Sequence, residues 1–214
     1  MGRRPAVLRA VLGVALVLLL IGAVTLVGLW RAVFHPSVDR PLPQADALLV
    51  LGPVDAKLTE AARLMNEGAA QTLVISDQDQ RDGAPGTCRP DVLDRIQELG
   101  WTPEDPSQLL CFRPLPVTTQ GGAMALRDLG AAQGWYTVNV LAYPEHLTRA
   151  RTLVDRCWDG QIAFLVAPGG PATQSDRAAW DAFWYQSGAL GKAALTPGCQ
   201  DRLPPWLEEL SWRL

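Results

Sequence analysis

Histidine and cysteine are scarce in this chain, and the glycine patterns of nucleotide sites are missing altogether. Two histidines and 4 cysteines occur in 214 residues. His35 sits just past a long apolar segment, so His146 is the only histidine in the globular part. Cys88, Cys111, Cys157 and Cys199 form no C-x-x-C pair, which removes the usual spacing of a zinc site. No metal ligand set is assigned on these grounds, and no motif identifies a cofactor. There is no G-x-G-x-x-G and no G-x-x-x-x-G-K-[ST], so neither phosphate-cradling fingerprint supports a nucleotide site. There is no G-x-S-x-G, so a hydrolase elbow is unsupported. Charged residues make up 19% and the net charge is -3. No basic face is implied, which argues against nucleic acid as a partner. Internal repeats and low-complexity tracts are absent too.

What the chain does have is one long uncharged run. Residues 10–30 carry no charge, and that length spans a bilayer as a helix. Arg3, Arg4 and Arg9 precede it and Trp30 closes it. The positive-inside rule then puts residues 1–9 in the cytoplasm and the remainder outside the cytoplasmic membrane, as a single-pass protein. The run exceeds a signal-peptide core and no A-x-A-like site follows, so an uncleaved anchor in the lipid bilayer is expected. An even cysteine count in an exported domain reads as two disulfides.

Beyond a proline-bearing linker over 31–44, apolar runs alternate with helical patterns. Strands are expected at 45–51, 72–76, 108–112, 137–142 and 161–167. Helices are expected at 57–68, 90–99, 119–133, 145–157 and 176–189. The run Leu48-Leu49-Val50-Leu51 is continuous, as in a strand covered on both faces. Strands alternating with helices imply a parallel sheet with right-handed crossovers. The expected fold is α/β: a three-layer Rossmann-like domain over 45–196 with a mainly parallel five-stranded sheet ordered 3-2-1-4-5. One transmembrane helix precedes it. A tail over 197–214 ends in a short amphipathic helix from Pro204. Trp180, Trp184 and Tyr185 lie at helical spacing and are expected in the core.

This topology sorts the cysteines. Cys88 and Cys111 fall at the carboxyl edge of the sheet, and Cys157 and Cys199 toward the opposite edge. Bridged Cα atoms lie within roughly 7 Å. Cys88–Cys111 and Cys157–Cys199 are therefore the expected pairs.

The carboxyl edge is also where ligands bind in an open parallel sheet. Five loops converge there. The first brings Gly52 and Lys57, the second Ser76 and Asp77, the third Thr118 and Thr119. The fourth brings His146 and Arg149 in the first turn of a helix, and the fifth is Pro168–Pro171. Two helix N-termini with two cations and two hydroxyls suit a phosphate or carboxylate. His146 is the candidate catalytic residue, as acid, base or donor to an anion. Gly52, Lys57, Asp77, Thr118, Thr119 and Arg149 are the candidate ligand contacts. Thr119 is read first as a helix N-cap. Lys57, in a first helical turn, is a position where a charge is ordinarily solvated, and Arg149 and Arg151 fit a solvated helix face.

Five segments together resemble the YdcF-like family of envelope proteins, of the SanA and ElyC type. They are Leu48-Leu49-Val50-Leu51-Gly52-Pro53, Lys57, Ser76-Asp77-Gln78, Thr118-Thr119-Gln120-Gly121-Gly122-Ala123 and His146-Leu147-Thr148-Arg149-Ala150. The last matches the family's His-x-x-Arg-Ala signature in full. The resemblance spans roughly residues 45–170. Four positions depart from the pattern. Lys57 replaces an arginine, Asp77-Gln78 replace two glycines, and Gly122 stands where an acidic or amide side chain is expected. The resemblance implies a membrane-anchored exported domain engaged with cell-wall or lipid-carrier intermediates, and supplies no reaction.

Two functions follow as expectations. One is an envelope protein that binds, and in the fuller reading processes, a phosphorylated or carboxylate-bearing cell-wall intermediate. The other is a catalytically degenerate accessory or docking module for envelope biogenesis, which rests on Gly122 and the lost glycines. A cytosolic nucleotide-binding enzyme is disfavoured by the cysteines and the N-terminal arginines.

Overall fold

The computed structural model describes residues 3–52, 56–80, 86, 88–202 and 204. Apart from Pro204, the expected amphipathic tail helix lies outside them.

The sheet has five strands: β1 (Ala45–Val50), β2 (Ala70–Ser76), β3 (Leu109–Phe112), β4 (Thr137–Ala142) and β5 (Gln161–Val166). All pair in parallel in the order β3-β2-β1-β4-β5. Side chains alternate across a strand, so β1 feeds both faces. Leu48 and Val50 enter one apolar cluster with Leu58, Leu73, Ile75 and Ile96. Leu49 enters the other with Val74, Phe112, Leu126 and Phe164. Both faces are buried, which is why the strand sequences are unbroken apolar runs rather than alternating ones. The helices α2 (Leu58–Asn66) and α3 (Pro90–Glu98) pack into the first cluster. The helices α4 (Thr119–Gln133) and α5 (Pro144–Val154) pack into the second. The architecture is the expected three-layer α/β fold.

Two polar residues fix the base of the sheet. Asn139 is fully buried on β4. Its amide donates to the Leu42 and Ala69 carbonyls at 3.0 and 2.9 Å, and its oxygen accepts from the Leu42 N–H at 2.9 Å. Asp46 on β1 accepts from the Tyr136 and Thr137 N–H groups and the Thr137 hydroxyl, each at 2.8 Å. Burial alone pushes this carboxyl up, but the three donors together outweigh it and hold it below the usual carboxylate range.

Both disulfides link the pairs the edge argument gives: Cys88–Cys111 with Cα atoms 4.8 Å apart, and Cys157–Cys199 at 5.0 Å.

The N-terminal helix α1 (Arg3–Phe34) is longer than the uncharged run. Its apolar part, Leu8–Phe34, has 27 residues and is long and apolar enough to cross a membrane. At 1.5 Å per residue that is about 40 Å, against a hydrocarbon core of about 30 Å. The excess is used for docking. Val33 is fully buried, and the Thr148 hydroxyl of α5 donates to the Ala32 carbonyl.

The linker segment is correspondingly bound to the domain. Helix α1 runs to Phe34. Asp39 then donates its N–H to the Phe164 carbonyl at 2.9 Å, and its carboxylate accepts from the Phe164 N–H at 2.9 Å. Arg151 closes the clamp, with 2.8 Å to the Asp39 carboxylate and 3.0 Å to the Ser37 carbonyl. Its guanidinium lies over the Phe164 ring at 4.3 Å. Arg151 is thus an anchor fastener rather than a solvated surface charge.

The last helix, α6 (Asp176–Leu195), is longer than the expected 176–189. It packs on α5, on α1 and on the turn Pro171–Thr173. Only Phe183, Gln186 and Ala193 of it are buried. Trp180, Trp184 and Tyr185 are 53%, 59% and 64% exposed, so their expected place in the core is corrected. Helical spacing puts the two tryptophans on one face, but it is Phe183 that α6 buries against α1, while Trp180 meets Trp30 only at the rim.

Candidate functional site

β1 ends in a tight turn at Gly52, whose φ of +72° belongs to the left-handed region that only glycine enters freely. A Cβ there would lie 3.7 Å from His146 Cε1, 3.8 Å from His146 Nδ1 and 3.8 Å from Lys57 Nζ. The glycine therefore lets the backbone after β1 run against an imidazole and an ammonium at once.

Both partners are placed by helix starts. Pro144 opens α5 with its missing N–H at a position that needs none. The next turn delivers Glu145 and His146 inward, both buried. Lys57 precedes α2 and is fully buried, with Nζ 4.0 Å from the centroid of the Tyr143 ring. A desolvated ammonium over an aromatic face is held by the ring quadrupole. Lys57 is therefore an interior cation of the site and not a solvated first-turn charge.

Thr118 and Thr119 divide two duties. Thr118 is extended and caps α4, its hydroxyl accepting from the Gly121 N–H at 3.2 Å. The cap is one residue earlier than expected from sequence. Thr119 is thereby released: it is buried, and its hydroxyl lies 2.9 Å from His146 Nε2. This bond joins the N-termini of α4 and α5 across the end of the sheet. Gly122, one turn into α4, sits so close to β1 that a Cβ would meet Leu51 Cδ2 at 3.0 Å and Ser76 Oγ at 3.5 Å.

His146 is neutral in this setting. Burial first, then the positive charges of Arg149 and Lys57, hold its pKa well below the ordinary value. One tautomer presents an N–H toward Gly52, the other a lone pair, while Nε2 remains bonded to Thr119. An anion beside Lys57 would offset that charge and would favour the imidazolium in turn.

Arg149 and Asp77 stand apart from this cluster. Arg149 shares the α5 surface with His146 at i+3. Its guanidinium lies 5.2 Å from the Tyr185 ring centroid and 3.5 Å from the Tyr185 hydroxyl. Its charge is felt at His146, but its head group is docked on α6. Asp77 is buried and pairs with Arg89 at 3.3 Å, while its other oxygen accepts from the Asp79 N–H at 2.9 Å. It braces the loop after β2 beside the Cys88–Cys111 bridge.

Two residues of the site escape sequence reading. Glu145 is buried, and its carboxylate accepts from the Ala172 N–H at 3.2 Å, tying the loop after β5 to α5. Tyr143 is the platform under Lys57. Two surface hollows of about 360 Å3 each lie elsewhere. One runs along α4 beside Arg113, Leu115 and Asp128; the other lies by Gln44 and Gly68. Neither is lined by Lys57, His146 or Arg149.

Among the described residues no group of three or more His, Cys, Asp or Glu is arranged to hold a metal ion. Neither a protein-family model nor a curated protein matches the chain.

Proposed function

We propose that this chain is a single-pass membrane-anchored envelope protein of the YdcF-like type. Its N-terminus faces the cytoplasm and its α/β domain the extracytoplasmic side. The domain binds an anionic ligand, a phosphorylated or carboxylate-bearing cell-wall intermediate, at the carboxyl edge of the sheet. One observation carries the reading: a neutral imidazole bonded to Thr119 lies against Gly52, which Lys57 also flanks, at the meeting of two helix N-termini. A desolvated cation, Lys57, stands there beside the first turns of two helices, a setting that suits an anion. Two disulfides and an arginine-flanked apolar helix support an oxidising, extracytoplasmic setting for the domain. Processing of the ligand would fall to His146, the one group with a titratable ring nitrogen at the site.

Gly122 favours a second reading. A side chain there presses on Leu51, so the acidic or amide group that the family resemblance calls for would need Leu51 to shift. A docking module for envelope enzymes would need no such group.

Full-length protein in phosphatidylcholine nanodiscs, screened by thermal shift against lipid-linked and nucleotide-linked cell-wall intermediates, separates the two. A ligand at about 100 times its Kd adds about 2.7 kcal/mol of stability. Lys57→Met should abolish that gain, since Lys57 is the buried cation beside Gly52. His146→Ala should leave the fold intact and remove function in cells. No stabilising ligand, together with intact envelope phenotypes in both variants, overturns the binding reading in favour of the docking module.

A further inference from the structure

The exposed aromatics of α6 are not scattered. Trp30, the last ring of the uncharged run of α1, has its centroid 6.1 Å from Trp180 and 5.8 Å from Phe183. Phe183 in turn meets Phe34 at 6.4 Å and Trp184 at 5.1 Å. Buried Phe183 is the hinge pin of this cluster; Trp180 and Trp184 extend it outward into the open. Tryptophans with one wet and one apolar side are enriched where a bilayer meets water. Trp30 is placed at that level by α1 itself.

The junction is also rigid. Val33 is fully buried, Thr148 holds the Ala32 carbonyl, and Arg151 holds Asp39. Trp180 cannot leave the height set by Trp30 without breaking these contacts.

We propose that the outer face of α6, centred on Trp180 and Trp184, lies against the bilayer beside the anchor and seats the domain on the membrane surface. The occupant of this face is lipid, because the face is continuous with the helix that enters it. The attraction is apolar and not electrostatic. Helix α6 carries two acids, Asp176 and Asp181, against two bases, Arg177 and Lys192. Headgroup charge should not matter and salt should not weaken the contact. The proposal rests on α1 entering the bilayer and does not depend on the anion site. One consequence is positional. Tyr185, next to Trp184 on α6, holds Arg149, which lies one turn from His146 on α5.

The test uses the full chain labelled with 5-fluorotryptophan in phosphatidylcholine nanodiscs. Trp30, Trp180 and Trp184 resonances are assigned with the conservative variants Trp30→Phe, Trp180→Phe and Trp184→Phe. Spin-labelled lipid should broaden the Trp180 and Trp184 lines as it broadens Trp30. A water-soluble gadolinium chelate should spare them, at low and high salt alike. Lines broadened by the chelate and untouched by the lipid label overturn the proposal, since the face then meets water. Lines untouched by both overturn it too, since protein then covers the face. A Trp30 line insensitive to lipid overturns the proposal together with the anchor, whatever the thermal-shift screen reports.

Discussion

Acidification probes the site directly, because the burial and two positive charges that hold His146 neutral act only in the folded chain. In the unfolded chain His146 titrates near its ordinary value of about 6.5. Its folded pKa is depressed, so below about 6.5 the unfolded state binds the extra proton and the folded state does not. Stability contributed by the neutral ring is whole above that pH. It is lost as the pH falls toward the folded pKa, at a slope approaching about 1.4 kcal/mol per pH unit. With a urea m-value of about 2 kcal/mol/M, the midpoint moves by about 0.7 M per unit. The measurement compares urea unfolding of the disulfide-intact protein with His146→Gln between about pH 8 and about pH 5. Gln keeps a partner for Thr119 and cannot titrate. The two curves should run parallel above about pH 7 and diverge below about 6.5, with the wild type losing more. Phosphate at the site would offset Lys57 and Arg149 and flatten the wild-type slope. Parallel curves over the whole range would refute the reasoning, because His146 would then titrate alike in both states.

Thr119→Val should leave the buried ring nitrogen of His146 without its partner and cost about 1–3 kcal/mol, read as a lowered urea midpoint, while Thr119→Ser stays near wild type. Removing Cys157–Cys199, which spans 42 residues, should cost about 4 kcal/mol, against about 3.4 kcal/mol for Cys88–Cys111, which spans 23. Equal losses in denaturant titrations would count against loop length as the governing term. Arg151→Ala should speed hydrogen exchange over residues 36–42 and leave the strand amides of β1 protected, since it opens the clamp on Asp39 and not the sheet.

Much of this was legible in the residues. Five apolar runs separated by helical periods leave few topologies, and right-handed crossovers make 3-2-1-4-5 a natural order. The disulfide pairs follow from which sheet edge each cysteine reaches. The misreadings have a common cause: periodicity tells which residues share a face and not what covers that face. Trp180 and Trp184 share a stripe that is half open; Phe183 beside them is the ring that is buried against α1, and Trp180 touches Trp30 only at its edge. Adjacent threonines are equivalent caps on paper; the extended backbone at Thr118 decides between them and sends Thr119 to His146. Glu145 reads as an acid complementing a helix dipole. Its bond to the Ala172 N–H depends on a loop 27 residues away. Likewise nothing local marks Lys57 as interior, because its burial comes from Tyr143 on a different strand end.

The anchor and the candidate site meet on one helix. At 100° per residue, His146 and Arg149 of α5 lie on one side, and Thr148 and Arg151 on nearly the opposite side. The first pair faces Thr119 and Tyr185; the second holds Ala32 and Asp39. An 11-residue helix is therefore clamped between the end of α1 and the end of the sheet. A flexible linker would let the domain sample many heights above the membrane. A clamp of this kind allows one. A shift of α5 toward or away from α1 would therefore also move His146 relative to Thr119. This accounts for polar fastenings on a segment that, as a mere tether, would need none.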